Sequence, residues 1–255
     1  MEATEVRKLA QLEDTHWWYS ERRYLLAKAL RARSAGRALD VGAAGGGNTR
    51  VLRRAGWNAV ALEYGADGAA VAAERGLRVI RADATALPLP AQSLDLVVAF
   101  DVLEHIPDDA AAARELLRVL RPGGEALIAV PCDPKLWSQH DVAVNHVRRY
   151  TRASLRKLFL DAGFELDSMT SWNVLLRPIV ALRRRSSSGS DLDELSRPVN
   201  AVLRVIVALE RYLPVKRLPG VTLLATVRRP AASTGSTTGP SAEAPAVEPG
   251  FGSAA

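Results

Sequence analysis

From residue 37 to about residue 169, short apolar runs alternate with segments of helical spacing. Arg37 to Val41, Asn58 to Glu63 and Leu77 to Asp83 read as strands, and the apolar run inside Ala86 to Ile106 as a fourth. Ala111 to Leu120 has helical spacing and stops at Pro122-Gly-Gly124, after which Glu125 to Val130 is a fifth strand. Thr151 caps a helix that runs to Ala162 and ends at Gly163. Phe164 to Met169 and Val221 to Val227 supply two further strands. Such alternation predicts an α/β domain built on a doubly wound parallel sheet.

Ahead of this domain, Arg22 to Leu30 pairs apolar residues at helical spacing, so residues 1–35 are expected to form a helical cap. The domain itself spans 36–229. About fifty residues separate its last two strands where a short hairpin would suffice. Within that insertion (172–218), Trp172 to Arg185 and Pro198 to Leu213 are apolar and helix-like, joined by a flexible Ser186-Ser-Ser-Gly-Ser190 linker. Val202, Leu203, Val205, Ile206, Leu209 and Leu213 are too numerous for one narrow face, and are expected to pack on the domain or on Trp172 to Ile179. Residues 230–255 lose all apolar periodicity and read as a disordered tail.

The first strand ends in an acid and breaks into glycines: Asp40-Val-Gly42-Ala-Ala44-Gly-Gly46-Gly. A strand, a glycine turn and a helix form a nucleotide-type cleft, because glycine lets a ligand lie against bare backbone. A carboxylate just ahead of the loop would repel the pyrophosphate of a dinucleotide, so a nicotinamide oxidoreductase fits poorly. Asp40 suits a ligand with a positive end, such as the ammonium of S-adenosylmethionine. Glu63 ends the second strand, where it can accept from a ribose diol. Asp83 and the backbone N–H of Ala84 follow the third, where they can read the amino edge of adenine.

With Asp101-Val-Leu-Glu-His105 and Glu115-Leu-Leu-Arg-Val-Leu-Arg-Pro-Gly-Gly124, this ordered set resembles the class I S-adenosylmethionine-dependent methyltransferases over about Leu39 to Val130. The resemblance is to the large bacterial group of the type 11/12 kind. It implies a Rossmann-like seven-stranded sheet of order 3-2-1-4-5-7-6, whose last strand is antiparallel and inserted. It also implies S-adenosyl-L-methionine as cofactor, held by Asp40, Gly42, Gly46, Glu63, Asp83, Ala84 and Asp101. One position departs from the Asp-x-Gly-x-Gly-x-Gly pattern. Ala44 stands where the family has glycine, and its methyl is tolerable only if φ stays negative.

The chain's 255 residues suffice for one α/β domain with additions. Its single cysteine, Cys132, excludes an internal disulfide and offers no metal framework. Met1 to Asp14 is polar, without the apolar core of a leader, and no apolar run approaches membrane-spanning length. The expected location is cytoplasmic. The net charge of +6 comes mainly from arginine, as a GC-rich genome would produce. It also suits an anionic partner such as a membrane surface. No aromatic-basic interleaving points to nucleic acid.

Methyl transfer to a hydroxyl or ammonium needs alignment and a proton acceptor, and imidazole titrates in the working range. The candidates are His146 first, then His105 and His140. Asp101-x-x-Glu104-His105 reads in two ways. It is either a shaped turn, with Glu104 paired to an arginine near residue 120, or a hard-ligand metal site completed by a later histidine. The turn is favoured, and no metal is expected.

Asp133 to Tyr150 carries two histidines, two arginines and a tyrosine just past the fifth strand, at the sheet edge where ligands bind. It is either a polar cap, with its arginines on Asp133 and Asp141, or an acceptor pocket in which Arg148 or Arg149 meets a negative group. Its Leu-Trp-x-x-His-Asp and His-x-Arg-Arg-Tyr elements resemble a family pattern that leaves the substrate open. His16-Trp17-Trp18-Tyr19 with Arg22 is either core packing or a lid. In the lid reading Trp17 closes over the sulfonium and Arg22 pairs with the methionine carboxylate. The expected activity is methylation of oxygen or nitrogen on a small-molecule acceptor, a specialised metabolite. A lipid-linked or membrane-surface acceptor and a non-catalytic cofactor-binding module are the alternatives. Oligomeric state is left open.

Overall fold

The computed structural model describes residues 7, 12–13, 15–186 and 196–231. Most of residues 1–14, the linker after Ser186 and the tail from residue 232 lie outside the described residues. Seven strands form one sheet: β1 (Arg37–Val41), β2 (Asn58–Glu63), β3 (Val79–Arg81), β4 (Leu94–Phe100), β5 (Leu120–Pro131), β6 (Glu165–Trp172) and β7 (Thr222–Arg228). Their order is 3-2-1-4-5-7-6, with β7 antiparallel to both neighbours, as the resemblance implied.

The central strands are apolar on both faces because helices cover both. Leu39, Val41, Val97 and Ala99 point into one core with Leu116, Val119, Leu155 and Phe159. Ala38, Leu96 and Val98, their alternates along β1 and β4, meet Leu26, Leu30, Leu52 and Trp57 on the other face. The covering helices are α1 (Trp17–Leu30), α2 (Gly47–Arg54), α3 (Ala66–Glu74), α4 (Asp109–Val119), α5 (Gln139–Ala143), α6 (Arg152–Asp161), α7 (Arg177–Ser186) and α8 (Arg197–Glu210). Capping sets several starts. The His16 ring accepts from Trp18 N–H at 3.3 Å, which starts α1 five residues earlier than its apolar pairs suggested. Thr151 and Ser154 form a reciprocal capping box on α6.

Two boundaries differ from expectation because antiparallel pairing with β7 overrides local signals. Pro122-Gly-Gly124 falls inside β5 instead of ending a helix. Gly123 takes φ +77° and its N–H bonds to Arg229 O at 3.0 Å, so pairing continues through an irregularity. β6 runs on to Trp172, opposite Thr222, so helix α7 begins at Arg177 and not at Trp172.

Cap and insertion build a single lid. Trp17 N–H donates to Asn200 Oδ1 at 2.8 Å, and Asn200 Nδ2 donates to Thr15 O at 3.0 Å. Arg211 and Glu21 form an ion pair, and Glu210 accepts the backbone N–H groups of Val174 and Leu175 at 2.8 and 3.1 Å. Leu203, Ile206 and Val207 pack with Trp17, Trp172 and Leu176. The expectation that all six apolar residues of this segment pack inward is corrected. Val202, Val205, Leu209 and Leu213 stay exposed, since α8 meets the lid with only one face.

Candidate active site

At the carboxyl edge of β1, Gly42 and Gly46 take φ +66° and +81°, the left-handed values that turn the chain into α2. A Cβ at Gly46 would lie 2.0 Å from Leu77 Cδ1, and one at Gly42 2.5 Å from Val102 Cγ2, so neither position admits another residue. Ala44 overturns the sequence condition: its φ is +44°. Left-handed backbone at an alanine costs about 1–2 kcal/mol. The conformation persists because Ala44 N–H donates to Glu63 Oε2 at 2.7 Å, while Glu63 Oε1 takes Gly65 N–H at 3.2 Å.

A cavity of about 430 Å3 opens where β1 and β4 part, under the lid. Gly42, Ala44, Phe100 and Asp101 form its floor, Trp17, Trp18 and Arg22 one side, and His105, His140, His146 and Arg149 another. Ile179, Val180, Arg183 and Leu203 of the insertion complete it. Arg22 is buried, bonds to Asp101, and lies 5.4, 4.9 and 5.6 Å from the ring centroids of Trp18, Phe100 and Trp172. Its Nη1 has no partner. Among the described residues, three of the sequence's candidate bases come together here. The His105 and His146 ring centroids are 4.8 Å apart, and those of His140 and His146 are 6.2 Å apart.

The family follows from sequence comparison on top of this geometry. Residues 15–169 match a family model described as a methyltransferase domain.

The chain belongs to the class I S-adenosylmethionine-dependent methyltransferases.

A protein of Mycolicibacterium smegmatis named a probable S-adenosylmethionine-dependent methyltransferase is 32% identical over 171 residues, covering 64% of this chain and 65% of that one. A Mycobacterium tuberculosis protein of the same name is 29% identical over 167 residues, covering 63% and 60%. The chain thus spans less than two thirds of the length of these curated relatives. The fold is shared with a crystal structure of the [4+2]-cyclase SpnF (TM-score 0.58, 21% identity, 84% of this chain and 81% of that one). An Archaeoglobus fulgidus S-adenosylmethionine-dependent methyltransferase gives TM-score 0.56 at 17% identity, covering 81% and 94%.

The residues of this methyltransferase fit the cofactor that its family implies. The unpartnered Arg22 Nη1 suits a carboxylate, and the bare backbone at Gly42 admits close approach. The predicted cofactor residues nevertheless divide. Gly42, Asp101, Trp17 and Arg22 line the cavity. Gly46, Glu63, Asp83 and Ala84 lie outside its walls, at the ends of β1, β2 and β3. Asp83 holds Thr85 through its N–H and hydroxyl, both at 2.8 Å. Asp40 is corrected. It is sealed beneath the loop and does not line the cavity, with Oδ2 accepting the Thr49 hydroxyl at 2.6 Å and Oδ1 without a hydrogen-bond partner among the described residues. Burial pushes the Asp40 carboxyl up to about 7.

The acceptor side also departs from expectation. Arg149 bonds to Cys132 O, Asp133 O and Asp141, while Arg148 bonds to Pro107 O and Asp109. Both hold the segment together and neither is reserved for substrate. Asp141 lies 2.8 Å from His146 Nδ1. Burial alone would raise Asp141, but His146, Arg149 and Arg184 outweigh it and hold the carboxyl below its ordinary range. Glu104 is not paired with an arginine: Arg118 goes to Glu115 and Arg121 to Asp95. Glu104 is fully buried with both oxygens unpartnered, and burial, then Asp101, pushes it well above its usual value. His105 is lowered, first by burial and then by His146. Phe100 and Asn173 line the cavity without having been singled out from sequence. Phe100 sits immediately before Asp101 and could have been found from that spacing.

Two outcomes follow from this geometry. Replacing Ala44 with glycine relieves the left-handed strain at some cost in unfolded-chain entropy, for a net gain of about 0.5–1 kcal/mol. Thermal denaturation of Ala44→Gly should show a midpoint about 2–4 °C higher per kcal/mol gained, and an unchanged midpoint would mean the strain is relaxed elsewhere.

The second concerns pH. Between the ordinary carboxyl value of 3.8 and its folded value of about 7, Asp40 keeps a proton that the unfolded chain releases. The Asp40 contribution to stability therefore falls as pH rises through that window; the raised Glu104 adds in the same direction and the lowered His105 opposes it. Urea denaturation from about pH 5 to about pH 8 should show this decline, flattened in Asp40→Asn; a variant with the same slope as wild type would refute the assignment.

Proposed function

We propose that this methyltransferase transfers a methyl group to an oxygen or nitrogen of a small-molecule acceptor, a specialised metabolite, seated in the cavity beneath α7 and α8. The observation that carries the reading is the orientation of His146. Its Nδ1 is tied to Asp141 at 2.8 Å, so its Nε2 is the nitrogen left to face the cavity, 3.8 Å from Glu104. A carboxylate that orients an imidazole in this way is the arrangement general-base catalysis requires.

Bound S-adenosylmethionine supplies an electrophilic methyl group, so the chain itself must align the acceptor and take a proton. Arg22 and Gly42 hold the methionine end, while Glu63, Asp83 and Ala84 receive the adenosine. His146 Nε2 takes the acceptor proton as imidazole, Asp141 stabilises the resulting charge, and His105 stands beside it as a second acceptor. The lid residues Trp17, Trp18 and Leu203 exclude water. A ubiquinone biosynthesis O-methyltransferase of Sodalis glossinidius, 31% identical over 122 residues, supports the choice of oxygen; the match covers 44% of this chain and 48% of that one. SpnF, a [4+2]-cyclase by name, is the reason activity has to be tested and not inferred from fold.

His146→Ala should lower turnover by about 10²–10⁴, in the range for losing general-base help. S-adenosylhomocysteine affinity, measured by calorimetry, should be unchanged. Near-normal turnover in that variant, with any acceptor the wild type methylates, would overturn the reading. Failure of the wild type to bind S-adenosylhomocysteine would overturn the cofactor assignment.

A second reading is favoured by one cluster. Glu104, His105 and His146 each offer a ligand atom, all within 4.8 Å of one another. A divalent cation there would polarise an acceptor hydroxyl. Of the set expected on sequence, Glu104, His105 and a later histidine, His146, are present, while Asp101 is taken by Arg22. We favour a protonated Glu104 and expect full activity after exhaustive chelation. Activity lost with EDTA and restored only by magnesium, manganese or cobalt would make the cation part of the site.

A further inference from the structure

Helix α8 shows two apolar faces where the lid needs one. Leu203, Ile206 and Val207 face inward. Val199, Val202, Val205, Leu209 and Tyr212 recur every three or four residues on the other side and are 47, 59, 58, 55 and 82% exposed. On α7, Ile179 and Leu182 are 58 and 69% exposed, and Ile179 is also part of the cavity wall. The outer apolar surface therefore runs to the acceptor cavity.

Charge decides what covers it. Residues 172–220 hold nine Arg and Lys against four Asp and Glu; Arg177, Arg184 and Arg211 are paired with Asp133, Asp141 and Glu21 outside the segment, and Arg197, Lys216 and Arg217 are exposed around the stripe. Among its described residues the one acid is Glu210, which is buried and spent on the N–H groups of Val174 and Leu175. A second copy of the chain would bring the same positive charge against itself. An apolar stripe with a basic, acid-poor surround fits an interfacial helix on anionic lipid.

We propose that the outer face of α7 and α8 docks on an anionic bilayer surface, presenting the Ile179 side of the cavity to lipid. The lipid contact stands on surface chemistry alone. That it delivers a lipid-associated acceptor rests on the methyltransferase reading above. No described helix is long and apolar enough to cross a membrane, so the contact is peripheral.

The test is co-sedimentation of the full chain with vesicles of pure phosphatidylcholine or of phosphatidylcholine enriched in phosphatidylglycerol. Wild type should partition about tenfold or more in favour of the anionic vesicles, and high salt should reduce this. Val202→Glu combined with Val205→Glu and Leu209→Glu should abolish binding while S-adenosylhomocysteine affinity, which reports folding and the cofactor site, stays normal. Lys216→Glu with Arg217→Glu should weaken binding without touching the apolar stripe.

No sedimentation with either vesicle would overturn the proposal. So would a concentration-dependent dimer that the triple variant breaks, since the face would then belong to a second copy. Neither result would bear on the His146 turnover assay, so the two readings fail separately.

Discussion

Arg22 joins the three parts from which the site is made. It rises from α1, its guanidinium is enclosed by rings from α1, β4 and β6, and it bonds to Asp101 at the end of β4. A buried cation is tolerated only when paired, and aromatic faces lower the remaining cost. Asp101 sits at φ +56°, a left-handed value, with its carboxylate bonded to Arg22 of the lid. Lid position, the floor of the cavity and the membership of the histidine cluster all depend on this one pair. The Nη1 of Arg22 has no hydrogen-bond partner among the described residues, a cost that the pair and the surrounding rings offset.

Elsewhere the active site concentrates charge that folding alone would not choose to bury. Asp40, Glu104, Asp141 and Arg149 are all buried, yet they are treated differently. Asp141 is surrounded by His146, Arg149 and Arg184 and stays ionised. Asp40 is bonded by Thr49 and Glu104 meets His146 Nε2 at 3.8 Å, yet burial pushes both upward. A carboxylate held low beside His146 and two pushed upward by burial, under the glycine loop and behind the histidines, make the cavity electrostatically uneven. Carboxyls held this way are more common at working sites than in passive cores.

The lid connects that chemistry to the outside of the molecule. Thr15, Trp17 and Glu21 bond to Asn200 and Arg211 nearly two hundred residues away, so the cap and the insertion move as one packed layer. The inner side of this layer is aromatic and closes the cavity. Its outer side, on α7 and α8, carries exposed apolar residues.

The sheet was legible in the residues themselves, since alternating apolar runs, the Asp40 to Gly47 turn and the acids at strand ends are local signals that each need only a few neighbours. The order 3-2-1-4-5-7-6 came with the family resemblance those motifs carry. Strand lengths were less legible, because pairing with β7 extended β5 through Gly123 and β6 to Trp172 against local punctuation. His146 was singled out from its segment, but Asp141 as its partner depended on how α5 folds back. The conformation of Ala44, the burial of Asp40 and the diversion of Asp101 to Arg22 were decided only by tertiary structure. Each follows from contacts between residues distant in the chain, and no periodicity or spacing records what a side chain will meet once the layers close.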